Sequence, residues 1–266
     1  MDGLTTAHAS PYVRLRNRLS GLGLDTMAAG LDRYARAVAA GETDFCTALL
    51  EMADAETAQR ERTLVARKIR SAGFPYEKTL EDFDWSFQPS VPRAVVEDLA
   101  TLGFVERAEN VVLVGSPGTG KTHIAIALGI AAVRARKEVR FADCAQLVAD
   151  LGAASARGEL DRRLRYYAHS SLLIIDELGY LDIGEQGANL LFQLVSRRYE
   201  RRSTIITTNV GVGKWADVFG DAVTASAVAD RVCHHCTMLR ITGRSYRTKD
   251  LLPEEGRKGP GEGDGR

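Results

Sequence analysis

Gly115-Ser116-Pro117-Gly118-Thr119-Gly120-Lys121-Thr122 decides the fold of this chain. The octet reads G-x-x-x-x-G-K-T, the complete phosphate-loop pattern. Its flanks agree with it. Residues 111–114 (V-V-L-V) are a short apolar run that predicts a buried strand ending at the loop. Residues 124–133 are rich in Ala, Leu and Ile and predict a helix that begins just after Lys121. Strand, glycine loop and helix in that order are the context the motif requires. The chemistry explains the residue types. Gly115, Gly118 and Gly120 let the backbone bend until its N–H groups converge on an anion. The following helix adds roughly half a positive charge at the same point. The whole loop, Ser116, Pro117 and Thr119 included, is therefore assigned to nucleotide. Lys121 would reach the β- and γ-phosphates of ATP, and the Thr122 hydroxyl would hold Mg²⁺.

Downstream, Leu172-Leu173-Ile174-Ile175-Asp176-Glu177 is four apolar residues followed by two acids. That predicts a buried parallel strand delivering carboxylates at its C-terminal end, where open α/β sheets place their ligands. Asp176 is the natural carboxylate to hold Mg²⁺ from behind its directly bound ligands, and Glu177 is placed to polarise the attacking water. Thr204-Ile205-Ile206-Thr207-Thr208-Asn209 predicts a further strand, with the Asn209 amide at its tip able to bond both γ-phosphate and water. Two more strands are predicted over residues 139–142 and 237–242. Helices are predicted over 93–102, 144–151, 158–168, 189–200 and 222–235.

Upstream, residues 11–72 are helical in pattern throughout, with Leu15, Leu19 and Leu22 at helical spacing. A charged helix follows, through Arg60, Arg62, Arg67, Lys68 and Arg70, and Gly73-Phe74-Pro75 stops it. The domain plan is a small helical module over 1–75, its first ten residues frayed, a linker over 76–92, an ATPase core over 93–252 and a disordered tail over 253–266. In the linker, Phe83, Trp85 and Phe87 alternate, which predicts an extended strap whose aromatics anchor it rather than shield a base.

The 266 residues carry 35 Lys+Arg and 35 Asp+Glu, so bulk charge gives no argument for nucleic acid and only a local patch could. No run approaches the ~20 apolar residues of a membrane span. The four cysteines are scattered, and the chain reads as cytoplasmic and reduced. Cys233-His234-His235-Cys236 invites a structural-zinc reading, which fails because such a site needs four converging ligands and no second Cys/His cluster exists.

The phosphate loop, L-L-I-I-D-E-L-G-Y, N-L-L-F-Q-L-V-S-R-R-Y-E, T-I-I-T-T-N and the linker T-L-E-D-F-D together resemble the IstB-like AAA+ ATPases. These are helpers of insertion-sequence transposition, related to DnaC-type helicase loaders. The resemblance spans residues 15–251. It implies an AAA+ P-loop core with a five-stranded parallel sheet flanked by helices. It implies ATP hydrolysis, non-specific binding to double-stranded DNA as a homo-oligomer, and a cognate transposase as partner. A helicase loader is the alternative. A small-molecule kinase is disfavoured, because Glu177 follows Asp176 and no substrate lid is evident. The resemblance places Asn209 at the sensor-1 position. Arg231 resembles the arginine that reaches a neighbouring subunit's γ-phosphate, and Arg247 stands where a sensor-2-like arginine would be. The chain ends soon after Arg247, too soon for a full lid domain, which favours oligomerisation.

One local patch answers the silent bulk charge. The stripe Leu190, Leu191, Leu194 and Val195 continues into Arg198, Arg201 and Arg202, with Arg197 at its edge. These four arginines are predicted to run past the sheet and track DNA phosphates.

Overall fold

A computed structural model describes residues 10–249. The frayed start (apart from Ser10) and the tail over 253–266 lie outside the described residues. The chain divides into two compact units after Lys68.

The first unit is helical. α1 (Pro11–Gly21) starts on a proline, and the Ser10 side chain accepts the N–H of Val13. α2 (Asp25–Ala39) follows. α3 (Phe45–Ala72) begins where Asp44 accepts the N–H groups of Cys46 and Thr47 at 2.8 and 3.1 Å. Glu56 on α3 accepts the N–H groups of Thr26 and Met27, which are free donors at the first turn of α2. That buried carboxylate fastens α2 to the middle of α3. The last residues of α3 belong to the second unit.

After the end of α3 the second unit continues with the linker. It is not an extended strap. Asp82 accepts the N–H of Thr79, and Asp84 accepts that of Phe87, so the segment folds into successive turns. Phe83 is buried, and its ring meets those of Trp85 and His123 at 4.8 and 5.2 Å. Then come α4 (Arg93–Ala100), α5 (Gly103–Glu106), β1 (Asn110–Gly115), α6 (Lys121–Arg134) and β2 (Val139–Asp143). They are followed by α7 (Cys144–Ala156), α8 (Leu160–Ala168), β3 (Leu172–Leu178), α9 (Gly184–Arg198) and β4 (Ser203–Thr208). α10 (Trp215–Phe219), α11 (Ala222–Cys233) and β5 (Cys236–Ile241) complete the unit.

All five strands pair in parallel, in the order β2-β3-β4-β1-β5. Parallel neighbours require crossovers, and the helices supply them on both faces. α6 covers one face, where Gly129 lets it press against Ile174. On the other face, Leu173, Ile175 and Leu178 of β3 share a core with α7, α9, α10 and α11. The order places β1 and β3 on either side of β4, so the phosphate loop after β1 and the acids of β3 flank the tip of β4.

α9 differs from its expected bounds. It starts at Gly184 and stops at Arg198, where Tyr199 turns to φ −51° and ψ 125°. Arg201 and Arg202 lie in the turn that follows.

Candidate nucleotide site

The phosphate loop holds its shape through two left-handed glycines, Gly118 at φ 79° and Gly120 at φ 96°. Space also forbids a side chain there. A Cβ on Gly118 would stand 2.0 Å from Ser245 Oγ, and one on Gly120 would stand 2.7 Å from the Phe83 ring. Two distant segments thus brace the loop. The Tyr246 N–H donates to the Gly118 carbonyl at 2.8 Å, and Gln88 of the linker donates to the Arg244 carbonyl at 2.6 Å.

Lys121 opens α6. Its ammonium is buried and donates to the carbonyls of Gly115 and Ser116 at 2.7 and 2.8 Å. Burial lowers its pKa, while Asp176 and Glu177 oppose that shift. Thr122 Oγ1 donates to the two Asp176 oxygens at 2.9 and 3.1 Å. Asp176 is buried. Burial raises its pKa, and the hydroxyls of Thr207 and Thr122 pull it back. A hydroxyl and a carboxylate so close together are hard oxygen donors of the kind Mg²⁺ takes.

The two acids are separated by a β-bulge. Ile175 pairs with Ile206 and Leu178 with Thr208, so Asp176 and Glu177 together face the single residue Thr207. Glu177 takes a left-handed backbone, φ 61°, which costs a non-glycine residue about 1–3 kcal/mol. Thr207 holds the distortion in place. Its hydroxyl accepts the Glu177 N–H at 2.9 Å and donates to Asp176 Oδ1 at 2.5 Å. The bulge turns Glu177 outward, where its side chain is exposed to a cleft.

That cleft, about 330 Å³, is lined by the loop, Glu177, Thr207, Asn209, Tyr246 and Arg247, and by Tyr76, Phe83 and His123. It lies within the usual range for small-molecule sites. The structure therefore brings together Lys121, Thr122, Glu177, Asn209 and Arg247, with Asp176 directly behind. Arg231 is not among them. Its Nη1 donates to the Ala227 carbonyl, and its guanidinium stands over the Phe192 ring. Thr207, Tyr76 and Tyr246 were not singled out from sequence. Thr207 carried a usable signal, because it lies two residues before Asn209 and so on the same face of its strand.

The arginine track does not survive as expected. Arg198 is 1% exposed and cannot meet DNA. Its guanidinium faces the carbonyls of Tyr167, Ala168, Ser170 and Ser203 and the hydroxyl of Thr204. The apolar stripe does not run past the sheet. It continues inward, and Arg198 satisfies the backbone oxygens where α8 ends and β4 begins. Burial lowers its pKa, yet five donors among so many acceptors favour the cation. Arg197 pairs with Asp161 at 2.8 Å, and Arg201 and Arg202 are exposed.

Residues 17–252 match the family of IstB-like ATP binding proteins. The chain belongs to that family. Among IstB-like relatives, the insertion sequence IS232 putative ATP-binding protein of Bacillus thuringiensis subsp. berliner is 39% identical over 244 residues, 92% of this chain and 98% of that protein. The insertion sequence IS21 putative ATP-binding protein of Pseudomonas aeruginosa is 48% identical over 183 residues, 69% of each chain. Solved structures share the fold of this IstB-like chain. The DnaC helicase loader superposes with a TM-score of 0.52 at 22% identity, over 65% of this chain and 98% of its own. AMPPCP-bound DnaA from Aquifex aeolicus gives 0.54 at 20% identity, over 67% of this chain and 55% of its own. The architecture is that of the AAA+ P-loop NTPases. Among the described residues, no helix is long and apolar enough to cross a membrane.

Proposed function

We propose that this chain hydrolyses ATP and acts, as an oligomer on double-stranded DNA, as the helper of a transposase. The observation that carries the reading is the convergence of Lys121, the Thr122–Asp176 pair, Glu177 and Asn209 on one cleft. The loop N–H groups and the α6 terminus bind the triphosphate. Lys121 exchanges its two loop carbonyls for phosphate oxygens. Mg²⁺, held by Thr122 and Asp176, would offset charge developing on the phosphates. Glu177 orients and deprotonates water, Asn209 positions it, and Arg247 contacts phosphate from the cleft wall. Arg231 stands outside its own chain's cleft, a place suited to completing a neighbour's.

The transposition role rests on the IstB-like relatives. DNA binding falls to Arg201 and Arg202, with Arg197 beside them, since Arg198 is removed from the surface. The test of the chemistry is phosphate release by wild type and by Glu177→Gln. The variant should keep nucleotide affinity and lose turnover, and near-normal turnover would move the base elsewhere. Affinity purification from the native host separates partners: transposase supports the proposal, and a replicative helicase would favour the loader role instead.

A further inference from the structure

The Cys233-His234-His235-Cys236 run takes no part in the nucleotide site, and its geometry divides it. The two cysteines are half-buried. Burial pushes the Cys236 thiol up to about 12 and also raises that of Cys233, so neither is a ready thiolate ligand. The two histidines are exposed, in the turn between α11 and β5. There they meet Glu200, from the turn after α9. Glu200 Oε1 lies 3.6 Å from His234 Nδ1 and 3.4 Å from His235 Nε2. The three ligand atoms all fall within 4.8 Å of one another, the one such group among the described residues.

Those lengths have a chemical meaning. Zinc binds histidine nitrogen and carboxylate oxygen at about 2.0–2.2 Å, so the edge of its tetrahedron is about 3.3–3.6 Å. Both measured separations are already of that size. Two histidines and one carboxylate also form a known ligand set, which leaves a fourth position to water. Nearby charge is balanced: Asp230 and Arg231 both act on Tyr199, and Glu109, near His235, is paired with Arg107, so the ligand geometry carries the case. One contact must change, because the Tyr199 hydroxyl lies 2.6 Å from His234 Nδ1 and would have to swing aside or become the fourth neighbour.

We propose that Glu200, His234 and His235 form a binding site for a divalent transition ion, zinc being the best fit. The site would join the turn after α9 to the end of α11. Arg231 lies on α11 one turn before His234 and packs on Phe192 of α9. A metal here therefore clamps the two helices between which that arginine is held.

The test uses the full chain in millimolar Mg²⁺, added to compete with Zn²⁺ for the Thr122 and Asp176 oxygens. Equilibrium dialysis against Zn²⁺ should give about one ion per chain with micromolar affinity, and Zn²⁺ should raise the melting temperature. His235→Gln and Glu200→Gln should each weaken binding at least about tenfold, one lost ligand of three being a large share of the site. Cys233→Ser with Cys236→Ser should leave binding unchanged. Should the variants fail to fold, Co²⁺ added to the wild type decides the matter. Ligand-field bands without a thiolate charge-transfer band are expected. No stoichiometric binding, retention in both Gln variants, or a thiolate band would overturn the proposal.

Discussion

Thr207→Val removes one hydroxyl and changes little else. Valine fills the same volume on a fully buried strand position, so no cavity term arises. Two hydrogen bonds disappear together. The Glu177 N–H loses its acceptor, at about 1–3 kcal/mol. Asp176 loses one of its two hydroxyl partners, at about 1.5–3 kcal/mol for a bond to a charged group. The bonds share one hydroxyl, and the exposed Glu177 lets water recover part of the first. A loss of about 2–4 kcal/mol in denaturant unfolding is expected. The effect on turnover is separate. Glu177 sits in a left-handed conformation that its flanking pairs alone do not fix. Misplacing a catalytic group by about 1 Å costs on the order of 10²-fold. We expect kcat for ATP to fall about 10–100-fold while nucleotide affinity stays within a few-fold. Thr207→Ser keeps the hydroxyl and should restore most of both. Wild-type turnover in a folded Thr207→Val protein, or Thr207→Ser as impaired as the valine, would refute a positioning role.

Lys121→Ala should abolish tight ATP binding in a fluorescent-nucleotide titration, since it removes the charge facing the phosphates; unchanged affinity would dismiss the site. Arg231→Ala and Glu177→Gln should each be inactive alone, yet mixed oligomers should recover turnover, and none despite co-assembly would count against a shared site. Arg201→Gln with Arg202→Gln should weaken binding to every DNA sequence and reduce the salt slope by up to about 2; an unchanged slope shifts attention to the cations Arg60, Arg62, Arg67, Lys68 and Arg70 of α3, the other basic stretch that could meet phosphate. Asp221 caps α11, and the side chain and N–H of Thr224 and the N–H of Val223 hold its carboxyl below the ordinary 3.8. A depressed folded-state pKa means its contribution is full above pH 3.8 and is lost as pH falls through the lower folded value. The melting-temperature gap between wild type and Asp221→Ala should therefore be constant from neutrality to about pH 5 and close in stronger acid. A gap that persists there would show that the cap works without its charge.

The sheet was legible where β-strand residues are apolar on both faces. Val111 to Val114 and Leu172 to Ile175 could be nothing shallow, and each ends on a chemically marked group. Other elements hid for physical reasons. The first turn of α9, G-E-Q-G, carries two glycines and no apolar periodicity, so the helical pattern becomes visible only from residue 189. Arg198 misled because helical spacing says which face a residue occupies and not what lies opposite. Only the folded chain shows a nest of carbonyls waiting there. The linker's aromatic alternation suggested extension, but Asp82 and Asp84, each accepting an N–H three residues away in the chain, bend it into turns. The bulge at Glu177 was invisible, because adjacent acids look the same whether a strand is flat or kinked. His234 and His235 could be seen, whereas Glu200 is 34 positions upstream of the first of them and nothing in the sequence joins them.

The bulge in β3 also settles a matter of parity. Leu173, Ile175 and Leu178 all enter the core beneath α7 and α9, at intervals of two and then three. A strand without the extra residue would keep strict alternation. Asp176 would face α6 as it does now, but Glu177 would point with Leu173 and Ile175 into hydrocarbon, and Leu178 would be turned out of it. Two neighbouring carboxylates can serve one cleft only because the strand slips phase between them. Glu177 is itself the slipped residue. A carboxyl side chain that alternation would have driven beneath the helices instead remains in water, at the point where the strand changes step.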